Sequence, residues 1–365
     1  GNAMKKVYIV GAHSRGRTAA YYLRYLNPEI KIEAYLYDND EENESSIDGV
    51  PVIHIDENTK LHTEYPVYIG TRGIFHPSIV ENLKRIGMQD VRPITVALDL
   101  QLRNEYLKKY YEGIGREFVK IDELSINETT DDESAEVAAS VYVAKSIFDK
   151  PLKDTYELQD YEREIQVGAA LSEQRLGEHI VVDNVGENIS VRNKQFCELT
   201  ALYWIWKNAT EDIVGLVHYR RHFTLSSDWK QRMMAHGVDV ILPIPLYVAP
   251  SVDGNFRSRH DASDWDFMLQ CLKDRDVLDY EGAVAFFDGN LYSPCNMFIA
   301  RKEVVGDLCE WMFPILFAVA DHGGQKEDAY QNRYPGFISE RLISYFFEKN
   351  RNKYKVVYAD KNFLQ

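Results

Sequence analysis

Along the first hundred positions, short apolar runs alternate with polar turns. Lys5–Val10, Ile30–Leu36, Val50–Ile53, Val67–Ile69 and Val91–Ile94 are rich in Val and Ile and bounded by Gly, Asp or Pro, which predicts strands. Thr18–Leu26 and Pro77–Ile86 place apolar residues at helical spacing, and Asp99–Glu112 reads as a further helix. Strands alternating with helices predict βαβ units on a parallel sheet. The first strand runs into Gly11-Ala12-His13-Ser14-Arg15-Gly16, and strand, glycine turn, helix is how a doubly wound nucleotide-binding sheet begins. Gly11 and Gly16 fit that fingerprint, and Asp38, at the end of the second strand, stands where an acid would hold a ribose hydroxyl. His13 takes the place of the glycine that would let a pyrophosphate approach, and Asp38-Asn39-Asp40 is equally ordinary turn chemistry.

The pattern turns polar and acidic over Ile121–Glu136, which predicts an exposed connection. A β-like run restarts at Val137. The expected organisation is a Rossmann-like domain over 4–97, a helical and acidic connection over 98–136, and a second α/β domain over 137–365. In the second domain a short strand, Ile180–Val182, leads into the polar loop Asp183–Ser190, of the kind that wraps ligands. Phe196–Asn208 reads as one largely buried helix, with Glu198 either in its apolar sector or capping its first turn. Val238–Leu242 and Tyr292–Ala300 read as strands, Ser251–His260 as a loop, and the helix after Ala300 as kinked or split by Pro314. Ile338–Glu348 is a helix whose apolar face carries Glu340 at its edge.

The most telling stretch is Asp212–Phe223. A buried apolar strand, Ile213–Val217, ends in His218, Tyr219, Arg220, Arg221 and His222. Cations at the end of a buried strand are costly unless they face an anion or acidic neighbours. Arg257 and Arg259 give the Ser251–His260 loop either a lid over a phosphate or an ordinary solvated surface.

The formal charge of −15 sharpens this picture, because any anion site must then be a local basic pocket and nucleic-acid binding is excluded. Four cysteines without CxxC spacing suit a reducing, cytoplasmic compartment. No apolar run is long enough to span a bilayer, no signal peptide follows Met4, and Gly1-Asn2-Ala3 reads as an appended leader. A homo-oligomer is compatible with an aromatic content of 12%.

VYIVGAHSRGR, the strand ending YDND, and IDGVPVI resemble the small N-terminal domain of bacterial sugar O-acyltransferases, which implies nucleotide-sugar binding there. From Val137 onward, IQVGAAL, DNVGENIS, CELTALYWIWKN, GLVHYRRHF, YSPCNMFIARKEV and GFISERL resemble a bacterial polysaccharide-biosynthesis family known largely as a domain of unknown function. That family is glycosyltransferase-like, with capsule or exopolysaccharide assembly as its setting. The order of elements also resembles a GT-A-type transferase of nucleotide-diphosphate sugars. In such enzymes a strand ends in Asp-x-Asp, which holds a divalent metal such as Mn or Mg on the donor. Here the strand ends in His-Tyr-Arg-Arg, and Asp38–Asp40, Asp264–Asp266 and Asp274–Asp276 fall in other contexts. Fixed Arg and His donors can replace a metal on a departing diphosphate. The resemblance therefore implies a donor-diphosphate site at His218, Arg220, Arg221 and His222, metal-independent or with metal ligands elsewhere. Glu340, or alternatively Glu198, is the expected acid–base group. Asp183 and Asn188, with Arg257 and Arg259, are expected to contact the nucleotide-sugar donor or a saccharide or lipid-linked glycan acceptor.

Overall fold

The computed structural model describes residues 5–126 and 133–365. Residues 1–4, which include the Gly1-Asn2-Ala3 read as an appended leader, and 127–132 of the acidic connection lie outside the described residues. The chain divides into two compact units, Gly1–Phe118 and Val119–Gln365.

The first unit runs β1 (Lys5–Val10), α1 (Ser14–Leu26), β2 (Ile30–Tyr37), β3 (Ser46–Ile47), β4 (Val50–His54), β5 (Val67–Ile69), α2 (His76–Arg85), β6 (Val91–Pro93) and α3 (Val96–Gly113). The strands form one sheet in the order β3-β4-β2-β1-β5-β6, parallel except for the β3–β4 pair. Tyr8, Val10, Leu36, Val67, Ile69 and Leu83 are buried in its core. Thr95 caps α3 by accepting from the Leu98 amide at 3.1 Å. Tyr106 of α3 packs on Tyr22 and Tyr25 of α1, ring centroids 5.2 and 4.9 Å apart. This aromatic packing joins α3 to the first unit, so the expected connection 98–136 is divided between the two.

The second unit runs β7 (Ala139–Lys145), β8 (Glu162–Gln166), β9 (Val181–Val182), α4 (Asn193–Phe196), α5 (Leu199–Asn208), β10 (Ile213–His218), β11 (Phe223–Thr224), α6 (Trp229–Ala235), β12 (Val240–Pro243), β13 (Leu246–Tyr247), α7 (Val252–Arg259), α8 (Ala262–Arg275), α9 (Val277–Phe287), β14 (Leu291–Tyr292), β15 (Phe298–Arg301), α10 (Lys302–Gly323), α11 (Tyr334–Lys349) and β16 (Val356–Lys361). Its main sheet has the order β11-β16-β12-β15-β10-β7-β8-β9. Strands β10, β7, β8 and β9 are parallel, and β15 runs antiparallel to both β10 and β12. Every residue of β10 before His218 is buried, because helices cover both faces of the sheet. Both units are thus α/β with parallel-rich sheets, as the apolar pattern implied.

Three elements depart from expectation, each for a local reason. The helix expected over Phe196–Asn208 breaks at Cys197, whose φ is +49°, and restarts with Glu198 as the N-terminal flanking residue of α5. The strand expected over Tyr292–Ala300 is interrupted by Cys295 (φ +78°) and Asn296 (φ +52°). The Ser251–His260 loop is a helix instead: Ser251 Oγ caps it by accepting from the Gly254 amide at 2.9 Å, and Val252 and Phe256 are buried. Pro314 leaves α10 continuous over Lys302–Gly323.

Candidate functional site

Strand β10 delivers His218 to its end, and a tight turn follows. His218 and Arg221 exchange backbone hydrogen bonds at 3.0 Å in both directions, which sets them directly opposite each other with Tyr219 and Arg220 at the tip. Paired residues share a face, whereas the next residue points the other way. The four basic residues read together in the sequence are therefore sorted by the turn. His218 and Arg221 look into one cluster, while His222 is fully buried behind it. There His222 Nδ1 lies 2.5 Å from Glu162, Nε2 lies 3.0 Å from the Tyr219 carbonyl, and the ring stacks on Tyr156 at 3.9 Å. Arg220 is held by the Tyr219 hydroxyl at 2.8 Å and donates to the carbonyls of Lys150 and Leu364. The Arg221 guanidinium lies over Phe363 at 4.8 Å, and no hydrogen bond or ion pair reaches it among the described residues.

Around His218 and Arg221 the fold gathers side chains from distant segments. Glu198 Oε1 accepts from Asn296 Nδ2 at 2.9 Å and lies 3.9 Å from His218 Nε2. His218 Nε2 is 2.5 Å from the Cys295 carbonyl. Glu340 accepts from the Cys295 amide at 3.0 Å. Arg333, just before α11, is exposed and donates to Cys197 Sγ at 3.2 Å. Of the four non-glycine residues with positive φ among the described residues, three (Cys197, Cys295 and Asn296) line this cluster. Such backbone costs about 1–3 kcal/mol per residue and is found where function holds it in place. Asn296 is buried, and its Oδ1 has no partner among the described residues, leaving an acceptor for a ligand hydroxyl.

The charges of the cluster are tuned by burial. Burial lowers the His218 pKa, with Arg221 and Arg333 acting in the same direction and Glu198 opposing. Burial raises that of Glu340, and the Glu198 carboxylate adds to the rise against Arg341 and Arg221. Asp149, after β7, is likewise raised by burial, against the charges of Arg220, Lys145 and His218. The Cys295 thiol is pushed up to about 11 by burial. The cluster therefore combines an imidazole pushed towards its neutral form, a carboxyl pushed towards its protonated form, and two guanidiniums, Arg221 and Arg333, that have no carboxylate hydrogen-bond partner among the described residues. Guanidiniums suit a diphosphate, and a neutral imidazole suits proton transfer.

Other expected residues lie elsewhere. Asp183 is fully buried and accepts from the Gly168 and Ala169 amides at 2.8 and 3.0 Å and from Ser190 and Thr200 at 2.6 Å. Its carboxylate is fully occupied in tying the loop to α5. Asn188 shapes its own turn, donating to the Gly186 carbonyl and accepting from the Ser190 amide. Arg257 is held between Asp253 and Asp266 at 2.7 and 2.6 Å, while Arg259 is exposed. In the first unit, Gly11 has φ +113°, and a Cβ at Gly16 would lie 1.9 Å from the Gly11 carbonyl oxygen. These glycines let α1 close onto the end of β1. Asp38 accepts from Asn82 at 2.9 Å. Among the described residues no three His, Cys, Asp or Glu side chains gather closely enough to hold a metal ion, and no helix is long and apolar enough to cross a membrane.

Arg333, Asn296, Cys295 and Asp149 were not singled out by the sequence. The turn-forming Ser293-Pro294 before Cys295 and Asn296 is the one local hint that the strand there would break.

The family described as "Domain of unknown function (DUF4422)" matches residues 149–351, a span that contains every residue of the cluster. Among solved structures, the chain is similar to the apo structure of the WbbM bifunctional glycosyltransferase, with 25% identity and a TM-score of 0.54 over 62% of this chain. The similarity spans 45% of the WbbM chain. No curated protein matches the chain in sequence.

Proposed function

The chain belongs to the DUF4422 family, and from that premise we propose that it is a glycosyltransferase. It would move a sugar from a nucleotide-diphosphate donor to a saccharide or lipid-linked glycan acceptor, in capsule or exopolysaccharide assembly. The observation that carries this reading is the cluster at the end of β10. Arg221 and Arg333 both act on His218, beside two carboxyl side chains, Glu198 and Glu340, and a strained loop. Sugar transfer needs charge stabilisation on the leaving diphosphate and a group to take the acceptor's proton, and the cluster offers both. The similarity to a glycosyltransferase fold supports the same reading. In this assignment Arg221 and Arg333 hold the diphosphate, with or without a divalent cation carried in by the donor. Arg220 supports the turn, and Asn296 Oδ1 accepts from a ligand hydroxyl.

A thermal-shift screen with UDP-, GDP-, dTDP- and CMP-sugars, each with manganese and with EDTA, tests this. A rise in melting temperature with a diphosphate-linked sugar, lost in Arg221→Ala and in Arg333→Ala, is the expected outcome. Binding without transfer or hydrolysis would turn the reading towards a sugar-nucleotide-binding scaffold.

A further inference from the structure

His218 has a geometry that diphosphate binding does not use. The Cys295 carbonyl, 2.5 Å from Nε2, can only accept a hydrogen bond, so Nε2 carries the ring proton. In the neutral ring, Nδ1 then keeps its lone pair, and no hydrogen bond reaches Nδ1 among the described residues. Glu198 Oε1 stands 3.9 Å behind Nε2 and is itself fixed by Asn296 Nδ2 at 2.9 Å. An imidazole whose far nitrogen is locked by an acceptor, with a carboxylate behind it and its near nitrogen bare, is the arrangement of a general base.

We propose that His218 is the catalytic base of the transfer, taking the acceptor hydroxyl's proton on Nδ1. The inference rests on the glycosyltransferase reading and replaces Glu340 in that role. The charged and titratable groups facing the ring are Glu198 at the start of α5, Arg221 across the turn, Arg333 before α11, and Asp149 after β7. Glu340 of α11 reaches it through the Cys295 amide. At rest, burial and the two guanidiniums push the ring towards its neutral form, against Glu198 and the Cys295 carbonyl. Once the proton arrives, the Cys295 carbonyl and the Glu198 carboxylate stabilise the imidazolium.

The step balances. The acceptor O–H bond breaks and its proton passes to Nδ1, while the acceptor oxygen bonds to the anomeric carbon. The bond from that carbon to the diphosphate oxygen breaks, and the electron pair leaves on the nucleoside diphosphate, facing Arg221 and Arg333. The imidazolium then returns its proton to solvent. A protein base acting in one displacement inverts the anomeric centre. Glu340 becomes a positioning residue that holds the Cys295 amide and thus the carbonyl that fixes the tautomer.

Two measurements on the full chain test the proposal. The first is nitrogen NMR of ¹⁵N-histidine-labelled protein at about pH 7, with the His218→Gln spectrum assigning the signal. A neutral ring protonated on Nε2 is expected; a ring protonated on Nδ1, or a permanent imidazolium, overturns the proposal. The second follows turnover of UDP-, GDP- and dTDP-sugars by wild type, His218→Ala and His218→Gln, with and without added imidazole. The expected result is a loss of roughly 10²–10⁴-fold in kcat with donor KM nearly unchanged, and partial rescue of His218→Ala by imidazole. His218→Gln, which keeps the side-chain volume, shows by its melting curve that the loss is not one of folding. A loss confined to donor KM and not rescued by imidazole would make His218 a binding residue and overturn the proposal. Absence of turnover by the wild type, with a correct tautomer, would instead overturn the glycosyltransferase reading, and the base role with it.

Discussion

At the scale of single residues, neighbours in sequence do different work. Arg220 and Arg221 are adjacent, yet the first is tied to the Lys150 and Leu364 carbonyls, while the second lies over the Phe363 ring and no hydrogen bond reaches its side chain among the described residues. Arg220 bridges two backbone carbonyls, one of them open to solvent, so Arg220→Ala should cost about 0.5–1.5 kcal/mol of stability, read as a lower urea midpoint. Arg221→Ala should leave that midpoint nearly unchanged. Losing charge-assisted bonds to a diphosphate is worth about 1.5–3 kcal/mol, so its donor affinity should fall roughly 10- to 100-fold by titration calorimetry. Equal loss of donor affinity in both variants would contradict the division of roles that the turn imposes. The same sorting separates His222 from His218.

At the scale of elements, what lies behind the site is built from buried polar pairs. Burial alone would raise the Glu162 pKa, but hydrogen bonds from His222 and Tyr156 and from the Gln159 amide bring it below its ordinary value of about 4.5. A depressed carboxyl contributes stability that is fully present above its unfolded pKa and is lost as pH falls through the folded one. Glu162→Gln should therefore be about 3 kcal/mol less stable than wild type at neutral pH, with the gap closing below about pH 4.5. A gap that stays constant on acidification would rule out the linkage. In α10, Pro314 removes a backbone donor from the middle of a continuous helix. Because its side chain is exposed, Pro314→Ala should raise stability by about 1–3 kcal/mol, measured by denaturant titration.

At the scale of the whole molecule, each of the two compact units has its own buried core. In the first, Gly16 allows no side chain, since its Cβ would meet the Gly11 carbonyl oxygen at 1.9 Å. Gly16→Ala should therefore lower the melting temperature of the first unit, while donor-induced stabilisation at the β10 cluster in the second persists. Loss of donor binding in that variant would place the donor site in the first unit. Against a net charge of −15, Arg221 and Arg333 near His218 are local cations in an acidic protein, so their hold on a diphosphate should weaken in high salt.

The α/β class, most strands and helices, and the position of the basic strand end are legible in the sequence. Each is written in a local alternation of apolar and polar residues, and burying a periodic face is a local requirement. Only the tertiary structure shows which of those basic residues face the cluster, and that Glu198 and the Cys295 carbonyl come to His218 from distant segments, with Asn296 on Glu198 and Glu340 on the Cys295 amide. The sequence reading failed at Cys197 and at Cys295–Asn296, where an expected helix and an expected strand break in left-handed backbone. That conformation is locally unfavourable, so no local pattern announces it. It persists because distant groups, including the Glu340 carboxyl on the Cys295 amide and the Gly336 carbonyl on Asn296, hold it in place.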